Sequence, residues 1–315
     1  MNITLNAAMK LVILLFFVDA AATGLKICAF NVKSFGEAKA ANQKIMDTLL
    51  KILSRCDISL LQEVRDAKGT AVQMLKNQLN SYDSTHTYKI IESARLGRNN
   101  YQEQYVFFYR SGTVYVKDSY QYPDDQKEDP DAFSREPFVV KFEAPKTVIQ
   151  DFVLIPQHTT PANATKELDE LYDVFLDIRR RWKTEKIMFL GDFNADCGYV
   201  PKKAWKNIRI CSEQGFHWLI GEKNDTTVKE STRCAYDRIV VYGNEFLSNI
   251  VPGSAKPFNF PEALRMSEAE ALEVSDHYPV EVELHAKSGG QNNQALMLLV
   301  FTYTLMEARN WFESI

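Results

Sequence analysis

Polar side chains recur where apolar runs stop. Asn31 follows the run from Leu25 to Phe30, and Glu63 follows Ile58 to Leu61 by way of Gln62. His158 comes soon after Val153-Leu154-Ile155. Asp192 and Asn194 close Ile187-Met188-Phe189-Leu190 across Gly191. Asp237 opens the run Arg238 to Tyr242, and Asp276-His277 precede Val280 to His285. Any one such ending reads equally well as an ordinary Asx turn. Turn chemistry does not, however, require the same kind of ending on strand after strand. Open α/β sheets bind their ligands at the carboxyl edge of the strands. If these strands are neighbours, one edge collects carboxylates, amides and two histidines.

Oxygen ligands from Glu63, Asp276, Asp192 and Asn31 suit a hard cation such as Mg²⁺, which keeps several waters. Histidines beside carboxylates suit a general base and a general acid. Together they could activate water against a phosphodiester and stabilise the charge growing at phosphorus. No Ser-His or Cys-His nucleophile pattern is visible, and no Gly-x-x-x-x-Gly-Lys loop offers a nucleotide cradle. In-line hydrolysis by water is the best chemical match.

The elements that must position these groups are legible from periodicity. Strands are expected at Leu25 to Asn31, Ile58 to Leu61, Tyr88 to Glu92, Gln104 to Arg110, Thr113 to Tyr122, Pro137 to Phe142, Thr147 to Pro156, Ile187 to Leu190, Arg238 to Tyr242 and Val280 to His285. Helical spacing covers Lys39 to Arg55, Thr70 to Leu79 and Lys166 to Trp182, with a short helix within Lys202 to Ile210. Pro123 to Asp131 is an acidic loop. Many strands and few long helices predict two sheets packed face to face with helices outside, an α+β sandwich.

The chain has 315 residues and a formal charge of -4, which argues against holding nucleic acid by bulk charge alone. Lys10, the apolar run Leu11 to Val18 and the small residues Ala20 to Gly24 have the layout of a secretory signal peptide, residues 1–24. Residues 25–285 form the expected domain. Five cysteines leave at least one thiol without an intrachain partner, and no Cys-x-x-Cys spacing points to zinc. Asn163 and Asn224 begin glycosylation sequons. In residues 286–315 a polar spacer precedes the apolar run Ala295 to Met306, a layout that fits a GPI-anchor signal.

The motifs taken together resemble the DNase I family of the endonuclease/exonuclease/phosphatase superfamily. They are Lys26 to Asn31, Leu61 to Asp66, Leu96-Gly97-Arg98-Asn99, Phe133-Ser134-Arg135-Glu136-Pro137, His158-Thr159-Thr160, Gly191 to Cys197, Cys234 to Arg238 and Ser275 to Pro279. They stand in family order and span nearly the whole mature domain. Tyr199 to Arg209 is similar to the DNase gamma branch. Met46 to Val64, Leu171 to Phe175 and the apolar tail are similar to the DNase X branch.

The resemblance implies a four-layered α/β sandwich that cuts double-stranded DNA or chromatin with divalent metal, acting as a monomer. It pairs His158 with Glu103 and His277 with Asp237 as the acid and base, in either order. Glu63 and Asp276 would hold Mg²⁺, with Asn31, Asp192 and Asn194 on metal, water or phosphate. Arg65, Arg135, Lys33, Asn99 and Tyr101 would contact DNA. Cys197 and Cys234 would form a disulfide. Asp225 and Thr227 would bind Ca²⁺, as would Asp125, Asp131, Glu136 and the Phe133 carbonyl. Lys33 replaces the family's Arg, and Glu92 puts a charge into the edge that DNase I offers to actin, so no tight actin partner is implied. Two other readings share some pieces. One is another phosphodiesterase of the superfamily, and the other is a catalytically silent surface-binding protein.

Overall fold

The computed structural model describes residues 24–127 and 130–287. The expected signal peptide and the apolar tail lie outside the described residues, apart from Gly24 and residues 286–287 at their edges. Residues 24–285 form one compact unit.

Twelve described strands make two six-stranded sheets. The first runs β11 (Lys256–Pro257), β12 (Val280–Leu284), β1 (Leu25–Phe35), β2 (Ile58–Val64), β4 (Gln104–Arg110), β3 (Tyr88–Glu92). The second runs β5 (Tyr115–Gln121), β6 (Phe138–Glu143), β7 (Asp151–Pro156), β8 (Ile187–Asp192), β10 (Asp237–Tyr242), β9 (Phe216–Trp218). Each sheet is mixed. β1 and β2 are parallel, as are β7 and β8, while β12 and β10 run antiparallel to their neighbours.

Successive side chains of a strand face opposite ways. Ile27 and Ala29 of β1, with Met188 and Leu190 of β8, meet in the core between the sheets. Phe30 and Val32 turn outward onto α2 (Gln43–Leu53) and α3 (Thr70–Tyr82). Ile187 and Phe189 turn outward onto α4 (Ala164–Trp182) through Leu168, Leu171, Val174 and Phe175. The central strands are therefore apolar on both faces, and the layers are helix, sheet, sheet, helix.

Three boundaries differ from the sequence expectation for local reasons. The helix expected over 39–55 is two, α1 (Glu37–Ala40) and α2, because Asn42 is extended and its side chain caps Lys44 N and Ile45 N. β1 runs past Asn31 to Phe35 through a bulge, with Lys33 and Ser34 in the left-handed region. Residues 144–147 form a turn and 148–149 a bend, with Gln150 at φ 58°, so β7 begins at Asp151 rather than at Thr147. The short β9 and β11, and α6 (Asn244–Ser248), α7 (Phe260–Leu264) and α8 (Glu268–Val274), were not expected; α5 (Arg209–Ser212) and a 3₁₀ turn fill 202–212.

Two disulfides are formed, Cys28–Cys56 with Cα atoms 6.1 Å apart and Cys197–Cys234 at 5.9 Å. Cys211 keeps a free thiol, which burial pushes up to about 11.

Candidate active site

Strand direction brings the polar endings together. Asn31 and Glu63 lie toward the ends of the parallel pair β1 and β2. His158 follows β7, and Asp192 ends its parallel neighbour β8. β10 is antiparallel, so its first residue, Asp237, stands directly opposite Asp192. β12 is antiparallel to β1, so His277, just before it, reaches the same edge.

At the centre, two histidines flank one carboxylate. His158 Nδ1 lies 2.5 Å from Glu103 Oε1, and His277 Nδ1 lies 2.8 Å from Asp237 Oδ2. Each Nε2 lies 3.6 Å from the same atom, Asp192 Oδ2. That spacing is a charge contact rather than a hydrogen bond. Burial works against charging His277, but Asp237 and then Asp192 outweigh it and push the ring up to about 10. Burial also opposes charge on His158; Glu103 raises that ring, and Arg135 partly counters it. Asp192 is raised by burial but more strongly lowered by His277 and His158. Asp237 is raised by burial despite its ring partner. In this arrangement Asp192 is an anion held between two readily protonated imidazoles.

Asn31 clamps the carboxylates. Its Nδ2 donates to Glu63 Oε1 at 3.0 Å and to Asp192 Oδ2 at 3.1 Å, while its Oδ1 accepts from Lys33 N at 2.9 Å. Two carboxylate acceptors force the amide nitrogen toward them. Asn31, expected as a metal ligand, thus turns its oxygen away from both carboxylates. Glu63 sits at φ 57°, and its Oε2 accepts from Ser34 N at 3.0 Å and Tyr101 OH at 3.2 Å. Asp276, half exposed, has Lys33 Nζ 3.8 Å from Oδ2. Asn194, at φ 46°, donates its backbone N–H to Asp192 Oδ1 and its Nδ2 to Thr159 O.

Beneath this layer lie residues that the sequence reading gave no role. Gln62 accepts from Asp192 N at 2.9 Å and donates to Gln157 O at 2.6 Å, tying the two sheets. Gly191 is needed there, since a Cβ would lie 2.4 Å from Gln62 Nε2 and 2.5 Å from Gln157 O, at φ 130°. Gln157 donates to buried Glu167 on α4. Arg238, 1 % exposed, donates to the carbonyls of Ala235, Ile220 and Ala195, fixing the loops beside Asp192 and Asp237. Lys39 Nζ donates to Val32 O and Val274 O; burial, then Lys33, lower it to about 8 against Glu63 and Asp276. The sequence carried one cue, polar residues interrupting apolar runs, as at Gln62 and Gln157.

The other expected site residues divide. Arg65 stacks over the exposed Tyr101 ring, 3.9 Å from its centroid, beside Glu63. Asn99 is exposed. Arg135 is 9 % exposed, with Nε donating to His158 O at 2.9 Å and lying 3.3 Å from Glu103. Through Nε it braces the His158 pair, while Nη2 donates to Thr160 Oγ1 at 3.4 Å. Asp225 Oδ1 accepts from Thr227 N and Oγ1 and from Cys234 N. Asp131 and Glu136 cluster with Asp124, whereas Asp125 is not in that group. The Phe133 carbonyl accepts from Arg98. Asn163 is exposed and Asn224 half-buried.

The endonuclease/exonuclease/phosphatase family model matches residues 28–277. The chain is 53% identical over 285 residues to deoxyribonuclease gamma of Rattus norvegicus, covering 89% of this chain and 92% of that one. It is 46% identical over 272 residues to deoxyribonuclease-1-like 1 of Homo sapiens, covering 86% and 88%. The human Nocturnin catalytic domain has the same fold, with a TM-score of 0.58 at 15% identity over 86% of this chain and 97% of that one. The chain therefore belongs to the endonuclease/exonuclease/phosphatase family, within its DNase I branch.

Proposed function

We propose that this protein is an endonuclease that hydrolyses phosphodiester bonds of double-stranded DNA with little sequence preference, using a divalent cation. One observation carries the chemistry. Two histidines, each backed by its own buried carboxylate, turn Nε2 toward one shared anion, Asp192. The names of its close relatives carry the substrate class.

The donors fit a hard cation. Glu63 and Asp276 are partly exposed carboxylates, and no thiol stands among them. They would hold Mg²⁺, which when bound counters negative charge on the phosphate oxygens. Glu103 and Asp237 accept from Nδ1–H and so aim each Nε2 at the substrate. One imidazole takes the proton of the attacking water at Nε2; the other donates its Nε2 proton to the departing sugar oxygen. Asp192 favours the charged form of the ring that serves as acid, and the ring that serves as base acts from its neutral form, with Nε2 free to accept. Arg65 on Tyr101, with Lys33, would meet the sugar–phosphate backbone, and such contacts position without specifying sequence.

Ca²⁺ is assigned to the Asp225 and Thr227 loop and to the cluster of Asp124, Asp131 and Glu136. At the latter, Arg98 already brings positive charge to Asp131 and the Phe133 carbonyl. Two disulfides fit the secretory route. Among the described residues no helix is long and apolar enough to cross a membrane. Anchoring through residues 286–315 is tested by release from cells with phosphatidylinositol-specific phospholipase C; full-length protein in the medium would refute it.

Nicking of supercoiled plasmid, with Mg²⁺ and Ca²⁺ added or chelated, tests the function against a His158→Ala control. Folded, glycosylated protein that shows no metal-dependent nicking would defeat it.

A further inference from the structure

Lys39 lies on α1 and touches neither histidine nor Asp192, yet it joins the two halves of the site. Its Nζ donates to Val32 O at 2.8 Å and to Val274 O at 2.6 Å, residues 242 apart in sequence. Val32 leads into the left-handed pair Lys33 and Ser34, where β1 bulges away from β2. Ser34 N and Oγ there hold Glu63 Oε2. Val274 ends α8 and leads into Ser275, Asp276 and His277. Ser275 Oγ makes a second tie, donating to Asn31 O at 2.6 Å and accepting from His277 N at 3.0 Å. The Glu63 side and the Asp276 side of the site are thus cross-linked by one ammonium and one hydroxyl. An apolar side chain at 39 would leave two carbonyls without that donor and release the bulge from the end of α8.

The geometry points to Lys39 as a positioning residue that sets the spacing of Glu63 and Asp276, and with it the affinity of the site for its divalent cation. This rests on the reading that those two carboxylates hold the cation. Groups that orient metal ligands typically change affinity by about 10- to 100-fold when removed.

The test uses Mn²⁺ as probe, titrated into the whole protein without DNA and followed by EPR of the free ion. Glu63→Gln and Asp276→Asn identify the site by its disappearance. Lys39→Met is expected to weaken that one site by about 10-fold or more and leave the others unchanged. It should raise the Mg²⁺ needed for half-maximal nicking by a similar factor. kcat should recover at saturating Mg²⁺, with KM for DNA unaltered. Lys39→Arg, which keeps the charge and donors, should lie between Lys39→Met and the parent. A merely structural lysine would lower Tm in EDTA without moving either metal titration. Should Lys39→Met not fold, Lys39→Gln is read on the same titrations. Unchanged Mn²⁺ affinity in the Lys39 variant, or a nicking defect that no Mg²⁺ concentration restores, overturns the inference alone. Retention of every Mn²⁺ site in Glu63→Gln and Asp276→Asn overturns the metal reading, and the inference with it.

Discussion

At the scale of single residues, Glu103 and Asp237 do the same task in different surroundings. Arg135 lies 3.3 Å from Glu103 and brings positive charge there, whereas beside the His277–Asp237 pair Asp192 and Asp276 add negative charge. His158→Ala and His277→Ala are each expected to lower kcat by about 10²- to 10⁴-fold. The double variant should be little worse than the poorer single one, since the pair works as a unit. Plasmid nicking under single-turnover conditions measures this; multiplicative losses would mean that the rings act independently. Gly191→Ala tests the packing beneath them. Its Cβ would meet the amide of Gln62 and the carbonyl of Gln157, neither of which can retreat without breaking the tie between sheets. A loss of roughly 1–3 kcal/mol in urea unfolding is expected from the backbone strain alone.

At the scale of elements, the two disulfides have separable effects. Cys28–Cys56 ties β1 to the residues before β2, and Cys197–Cys234 ties the loop after β8 to the approach to β10. Removing either should cost roughly 2–4 kcal/mol of stability. Only Cys197→Ser/Cys234→Ser should also lower kcat at 25 °C, because its loop adjoins Asp192 and Asp237. Thermal melts beside nicking rates would show the split; equal kinetic damage from both bridges would refute it. The end of α3 carries a pH-dependent contribution. Burial of the Asp83 carboxyl favours its neutral form, but hydrogen bonds from Thr85, Tyr88 and His86 outweigh this and hold it well below 3.8. A lowered folded value means stability that is complete above the unfolded value and lost as pH falls through the folded one. The Tm gap between the parent and Asp83→Asn should thus be constant near neutrality and close in acid below 3.8. A gap that widens in acid would reverse the assignment.

At the scale of the whole molecule, a chain of net charge -4 is asked to bind a polyanion. Two exposed or half-exposed cations beside the site, Arg65 and Lys33, are the proposed phosphate contacts open to solvent, while Arg135 is 9 % exposed. With about two phosphates neutralised, the slope of log affinity against log salt should be about -2. KM should then rise about tenfold between about 50 and about 200 mM salt. A hundredfold rise would require a basic surface beyond these residues.

The sequence by itself determined the layers, because strands buried on both faces and amphipathic helices write their periods into the chain. It also marked candidate residues for the site. Polar endings after apolar runs at Asn31, Glu63, His158 and Asp192 mark one edge in any arrangement that makes their strands neighbours. Only the tertiary structure decided which atom faces which. That Asn31 presents nitrogen to Glu63 and Asp192, and that Arg135 braces His158, depends on side chains from distant segments competing for the same donors and acceptors. The supports Gln62, Lys39 and Arg238 escaped notice for the same reason. Their partners are largely backbone groups far away in sequence, such as Gln157 O, Val274 O and Ala195 O, and a backbone carbonyl leaves no mark in the pattern of residue types.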